Sequence, residues 1–328
     1  MKKVYGIAAV LFVVVVATTL LSRNDAGTFT FLKALNLENQ MERIGMFGIL
    51  SIAAAFVIIT GGIDLSIGSV VCVSGCMLPW LVHDLELPPV LAVATVLLLC
   101  AMIGLWHGLL VVGVGLQPFV VTLCGLLLYR GLMRAFTGDQ TMGFGDSAES
   151  LAWMTERLSV FGHFRIPMPA LILLVVAVVT ALFLNRTVYG RHLMALGRNE
   201  EAARLSGVAT ARLKILAYVC CSMLAGLGGC LFVVDVGSAQ ASNFGSFFEL
   251  YAIAGAVLGG VALRGGEASI LGVVLGTALM QVLQNAINLV GDSNQLEFAV
   301  VGAVILIGAA ADAGFRRLWQ RRGAAGSG

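Results

Sequence analysis

Five polar side chains sit inside runs that are otherwise apolar, and they carry what chemistry this chain could do. Asp64 lies in Thr60-Gly-Gly-Ile-Asp-Leu-Ser-Ile-Gly-Ser69, with apolar segments on both sides. An ionisable group so placed must find a partner or face water. Its carboxylate, with Ser66 two residues on, could cap the helix that follows or border a solute route. The other four are Gln281, Gln284, Asn285 and Asn288, spaced i, i+3, i+4, i+7, so that all lie on one face of a helix. Neutral amides offer donors and acceptors without charge, which suits an uncharged polyhydroxylated solute. The same residues could instead bond neighbouring helices.

Covalent chemistry has little to work with. There is no G-x-x-x-x-G-K-[ST] phosphate loop, and His83, His107, His163 and His192 form neither HExxH nor a cluster. Gly143-Phe-Gly-Asp146 matches the G-x-G-D signature of intramembrane aspartyl proteases. That chemistry needs two aspartates close enough to share a proton, and Asp146 stands in a polar loop with no such partner. The seven cysteines all fall in apolar runs without metal-ligand spacing and read as small packing residues. The expectation is therefore no catalytic residue, no metal and no cofactor.

The elements that must position the polar residues follow from composition. Apolar residues make up 59% of the 328, charged residues 12%, and mean hydropathy is +0.96. A soluble domain carries about a quarter charged residues, so the chain is expected to be an all-α polytopic membrane protein. The net charge of +2 is spread over membrane boundaries and predicts no nucleic-acid partner; the solvent of most of its surface is lipid. Ten candidate spans fall at 4–22, 44–60, 66–82, 90–112, 115–136, 168–185, 214–236, 248–264, 267–290 and 297–313, near the ~20 residues a bilayer requires. The first lacks a small-x-small cleavage site and is kept as a helix.

With both termini inside, thirteen of the twenty Lys and Arg residues fall on the inner side, and the outer loops hold most of the acids. That distribution satisfies the positive-inside rule and places residues 137–167 outside as the one long outer connection, within a single transmembrane domain over 1–328. Glycine-rich breaks at 60–69 and, more weakly, Gly259-Gly-Val-Ala-Leu-Arg264 interrupt two helix pairs, the pattern of an internal repeat in transporters or simply of close helix packing. Arg130 and Arg134, four apart near an outer helix end, are expected to snorkel or to pair with loop acids.

Between Arg186 and Lys214 lies a charged island holding six Lys and Arg residues and two acids. Asn199 suits an N-cap, Glu200 and Glu201 suit the positive helix end, and Gly207 can close the helix in a left-handed conformation. Ala202 and Ala203 leave one face nearly flat. A short rigid helix held outside the bilayer reads as a docking element, or else as an ordinary solvated loop.

Four segments in order now carry a resemblance: ITGGIDLSIGS (59–69), LQPFVVTLCGLLLYRG (116–131), YGRHLMALGRNEEAARLSGV (189–208) and LYAIAGAVLGGVALRGGEASILGVVLG (250–276). The chain resembles the permease subunits of bacterial ATP-binding-cassette sugar importers of the ribose, xylose and galactose type, related to branched-chain amino-acid permeases, most clearly over residues 40 to 312. Glu201-Ala-Ala-x-x-x-Gly207 is similar to the loop these permeases share. The resemblance implies a multi-pass inner-membrane protein with a cytoplasmic coupling helix that docks on a separate ATP-binding subunit. It also implies a periplasmic solute-binding protein and a second permease chain, identical or related.

The coupling residues so implied are Gly190, Arg191, Gly197, Asn199, Glu201, Ala202, Ala203 and Gly207. The solute is expected to be a monosaccharide; a branched-chain amino acid, nucleoside or autoinducer-like compound is the alternative, and an ion-coupled carrier a further one. Gly197-Arg198, Asp235, Arg264 and Glu267 depart from the family's pattern and leave open which sugar is carried.

Overall fold

The computed structural model describes residues 2–23, 27–161 and 164–290, with isolated positions between 299 and 306. The span expected over 297–313 lies outside the described residues apart from those positions, as do His163 and Arg316, Arg317, Arg321 and Arg322.

The helices are α1 (Lys2–Leu21), α2 (Ala34–Ile59), α3 (Ile67–Pro79), α4 (Pro89–Leu109), α5 (Pro118–Thr137), α6 (Met168–Arg186), α7 (Val188–Arg198), α8 (Glu200–Leu205), α9 (Thr210–Val236), α10 (Phe248–Leu258) and α11 (Ile270–Val290). Wide helical turns prolong α3 to Asp84 and α4 to Val114. Among the described residues eight of these elements are long and apolar enough to cross a membrane. Among the described residues strand is confined to four short pieces in loops, β1 (Thr141–Gly143), β2 (Arg157–Phe161), β3 (Phe164–Pro167) and β4 (Ser238–Gln240), with β1 antiparallel to β4 and β2 to β3. The fold is all-α and polytopic, as the composition implied.

The helices begin and end where side chains permit. Proline opens α4, α5 and α6 at positions where no amide partner is needed. Gly138 and Gly237 close α5 and α9 in the left-handed region, at φ 59° and 80°. Two boundaries differ from expectation by more than five residues. The second span starts at Ala34 rather than 44, because Glu38 and Glu42 inside it are paired with Arg157 and Arg165 and so no longer mark a water boundary. The eighth ends at Leu258 rather than 264. There α10 turns at Gly259-Gly260 and crosses α11 so closely that a Cβ on Gly259 would meet Val273 Cα at 2.5 Å.

In lipid, helices associate through close packing and hydrogen bonds rather than a hydrophobic drive, so small residues mark the crossings. Gly108 of α4, for example, lies against the Ile215 backbone of α9, where a Cβ would come within 2.7 Å of Cα. The most enclosed span is α2, with 89% of its apolar window buried, flanked by α6, α9, α10 and α11. By contrast α4, α5 and α6 are 22% buried and α1 only 6%. Their outward Leu98, Leu127 and Val175 form the lipid-facing surface of the bundle.

Candidate functional site

The charged island and the long loop lie at opposite ends of α6, so they occupy opposite faces of the bundle. On the island, Thr187 Oγ1 accepts from Gly190 N at 3.1 Å and starts α7. Gly190 is buried against Phe183 and Leu184, leaving no room for a side chain. Leu193 and Leu196 bury the inner face of α7. Asn199 Oδ1 then accepts from Ala202 N at 2.9 Å, and Gly207, at φ 83°, reverses the chain after α8. A Cβ on Gly207 would meet nothing, so the requirement there is conformational rather than steric. Lys214 binds Glu200 at 2.6 Å and ties α8 to the start of α9.

What remains outward on α8 is Glu200, Glu201, Ala202, Arg204 and Leu205, with Ala203 turned in. Leu205 is 79% exposed. Sequence reasoning missed it, since one leucine among so many carries no signal until its surroundings are known. Two grooves flank the helix. One of about 630 Å³ is bordered by Arg191, Met194, Arg198, Asn199, Ala202 and Ser206, and one of about 530 Å³ by Glu200, Glu201, Arg204 and Lys214.

The polar residues of the spans divide. Asp64 is 2% exposed and lies in the non-helical stretch between α2 and α3. Its carboxylate accepts from Ser66 N at 2.8 Å and Ser66 Oγ at 2.6 Å, and Cys221 Sγ lies 3.5 Å away. Asp64 therefore holds the turn that opens α3. Around it, Tyr218 Oη, Ser222 Oγ and His107 Nδ1 are buried with no hydrogen-bond partner among the described residues, while His107 Nε2 meets Tyr129 Oη at 2.8 Å. Irregular backbone at membrane depth persists only where it is enclosed by protein or borders a cavity, and this stretch is enclosed by α5 and α9.

The four amides of the α11 stripe differ in burial and partners. Gln281 is 1% exposed, its Oε1 without a hydrogen-bond partner among the described residues, and Gln284 is buried. Asn285 exchanges hydrogen bonds with Asn36 of α2, at 2.9 and 3.2 Å, and Asn288 is exposed. The two residues nearer the middle of the helix are thus buried, the third bonds a neighbouring helix, and the last lies at the surface.

Two further charges matter. Among the described residues Arg130 pairs with no loop acid. Its guanidinium donates to the carbonyls of Ala241 and Phe244, both at 3.1 Å, because the segment after β4 folds back against α3 and α5. Glu249, at the start of α10, is 7% exposed with its carboxylate against Gly68. It was illegible in sequence because it opens an apolar run at a loop boundary. Arg134 does pair with a loop acid, Asp139, at 2.6 Å, and that hydrogen bond holds the Asp139 carboxyl below its usual range. On the same face Arg157 reaches Glu38, Glu42 and Asn39 and pins the β2–β3 hairpin onto α2. Asp146 is exposed in the loop after β1.

Comparison with known proteins places this arrangement. Residues 36–309 match the family model described as branched-chain amino acid transport system / permease component. The ribose import permease protein of Escherichia coli K12 is 36% identical over 282 residues, covering 84% of this chain and 85% of the relative. The ribose import permease protein of Bacillus subtilis is 32% identical, covering 90% and 88%. The galactofuranose transporter permease protein of Escherichia coli K12 is 33% identical, covering 81% and 77%. A match over most of the chain, on a bundle of apolar helices with a capped helix on one face, leaves one assignment: the chain belongs to this family, as a multi-pass inner-membrane permease subunit of an ATP-binding-cassette importer that works with a separate ATP-binding subunit and a periplasmic binding protein.

Proposed function

We propose that the chain forms the membrane pore for uptake of a monosaccharide, paired with a second permease chain, identical or related. The observation that carries the solute class is the likeness, over four fifths or more of this chain, to permeases named for ribose and galactofuranose. Residues 1–328 act as one permease domain, with the coupling loop at 186–214 and the long loop at 137–167 facing the periplasm.

In this reading α8 seats in the ATP-binding subunit through Glu201, Ala202 and Leu205, and Gly190, Asn199, Ala203 and Gly207 hold that surface in shape. Arg191 borders the groove beside it. ATP-driven closure of the two ATP-binding subunits displaces the coupling helices and reorients the pore. Polar side chains of the α2–α3 break (Asp64 and Ser66) and of α11 (Gln281 and Gln284) border the solute route. Asn285 serves as a strut to α2, and Asn288 marks the exposed end of the stripe. The unpartnered Gln281 Oε1 supports this division, since a buried amide oxygen without a partner is rare.

The test is reconstitution of the complex in vesicles with its ATP-binding subunit and binding protein, followed by uptake of labelled monosaccharides and branched-chain amino acids. Accumulation of one monosaccharide, abolished by Glu201→Arg or Gly207→Val in protein that remains folded, is expected. Uptake of an amino acid and no sugar would overturn the solute class. Full uptake by both variants would overturn the docking surface.

A further inference from the structure

The two glycine-rich breaks, some 200 residues apart in sequence, meet in space, and the island meets both. Gly266 N donates to the carbonyl of Ile59, the last residue of α2, at 2.9 Å. Arg198 Nε donates to Gly266 O at 3.3 Å. Gly265 packs so that a Cβ would lie 2.7 Å from Ile59 O, 2.8 Å from Gly61 N and 3.0 Å from Gly197 O. Gly197 itself leaves no room, since a Cβ there would sit on the Ile59 carbonyl oxygen and the Gly266 amide. Its backbone is that of an ordinary helix, so unlike Gly207 it is glycine for steric reasons alone.

We propose that Gly197 is the positioning residue through which movement of the coupling helix reaches both breaks at once; this rests on the docking reading above. Side-chain contacts absorb small displacements by changing rotamer, whereas backbone packed on backbone passes them on, because packed interfaces shift between discrete arrangements rather than deforming. From Gly197 one path runs through Ile59 and Gly61 to Asp64, three residues further along. The other runs through Gly266 into α11, which carries Gln281 and Gln284. One displacement of the island is thereby delivered to both elements that bear the buried polar side chains. The departure at Arg198 adds a hydrogen bond at this junction rather than a new surface.

The experiment uses the full complex in vesicles with ATP-binding subunit and binding protein, and compares wild type, Gly197→Ala, Arg198→Met and Glu201→Arg. Three quantities are read: the fraction of permease carrying the ATP-binding subunit, ATP hydrolysis, and solute taken up per ATP hydrolysed. Gly197→Ala should assemble and hydrolyse ATP while uptake per ATP falls about tenfold, within the range of coupling between distant sites. Arg198→Met removes one bond without adding volume and should lower the same ratio about fivefold. An unchanged ratio in assembled Gly197→Ala overturns the proposal. Should that variant not assemble, Arg198→Met decides, an unchanged ratio again overturning it. Glu201→Arg reports separately on docking: normal assembly of that variant defeats the docking reading, whereas its failure to assemble beside an unchanged ratio in Gly197→Ala defeats only the junction.

Discussion

Leu205→Ala separates docking from folding, because Leu205 is 79% exposed at the C-terminal end of α8. The substitution removes three carbon atoms, which at ~0.8 kcal/mol for each buried methylene is about 2.4 kcal/mol if the side chain passes wholly from water into a partner's cleft. With 79% of the residue exposed, the part gained on docking is about 2 kcal/mol. Since 1.4 kcal/mol corresponds to tenfold, affinity for the ATP-binding subunit should fall about thirtyfold. The permease in lipid nanodiscs would be titrated with the purified subunit by surface binding, and its thermal unfolding followed in parallel. Unfolding should be unchanged, because α8 stays capped by Asn199 and tied by Lys214. A dissociation constant within about twofold of wild type would refute the proposed role of Leu205 in docking.

Other expectations follow from the remaining contacts. Asn285→Leu breaks the amide pair with Asn36, and at about 0.6 kcal/mol per interhelical bond in lipid it should lower thermal stability by roughly 1 kcal/mol while uptake per folded complex holds; a transport loss without a stability loss would return Asn285 to the solute route. Arg157→Ala frees the β2–β3 hairpin from α2, and amide exchange over the hairpin should rise about tenfold while α9 stays protected; equal protection would mean the ion pairs contribute nothing. Cysteines introduced at Glu149 and Ala209 should label from the periplasmic and cytoplasmic sides respectively with impermeant reagent, and labelling of both from one side would contradict their placement at opposite ends of α6.

Much of this protein was legible without coordinates. Composition and run length identified the helices, because every backbone group in hydrocarbon must bond within its own segment and long apolar runs have no other stable form. The caps of α8 were legible too, since Asn199 and Gly207 act on neighbours a few residues away. The early start of α2 was not, because Glu38 and Glu42 look like a water boundary until Arg157, over a hundred residues later, neutralises them. For the same reason the amide stripe was legible as a helix face but not as a function. Asn285 turns out to face Asn36, whereas Gln281 Oε1 has no partner among the described residues, and which of them meets another helix depends on how α11 is rotated against α2. The junction at Gly197 belongs wholly to tertiary structure. Local sequence shows only that three segments contain glycine, whereas their backbones touch because α2, α7 and the α10–α11 turn end at one point, a fact of packing that no spacing along the chain encodes.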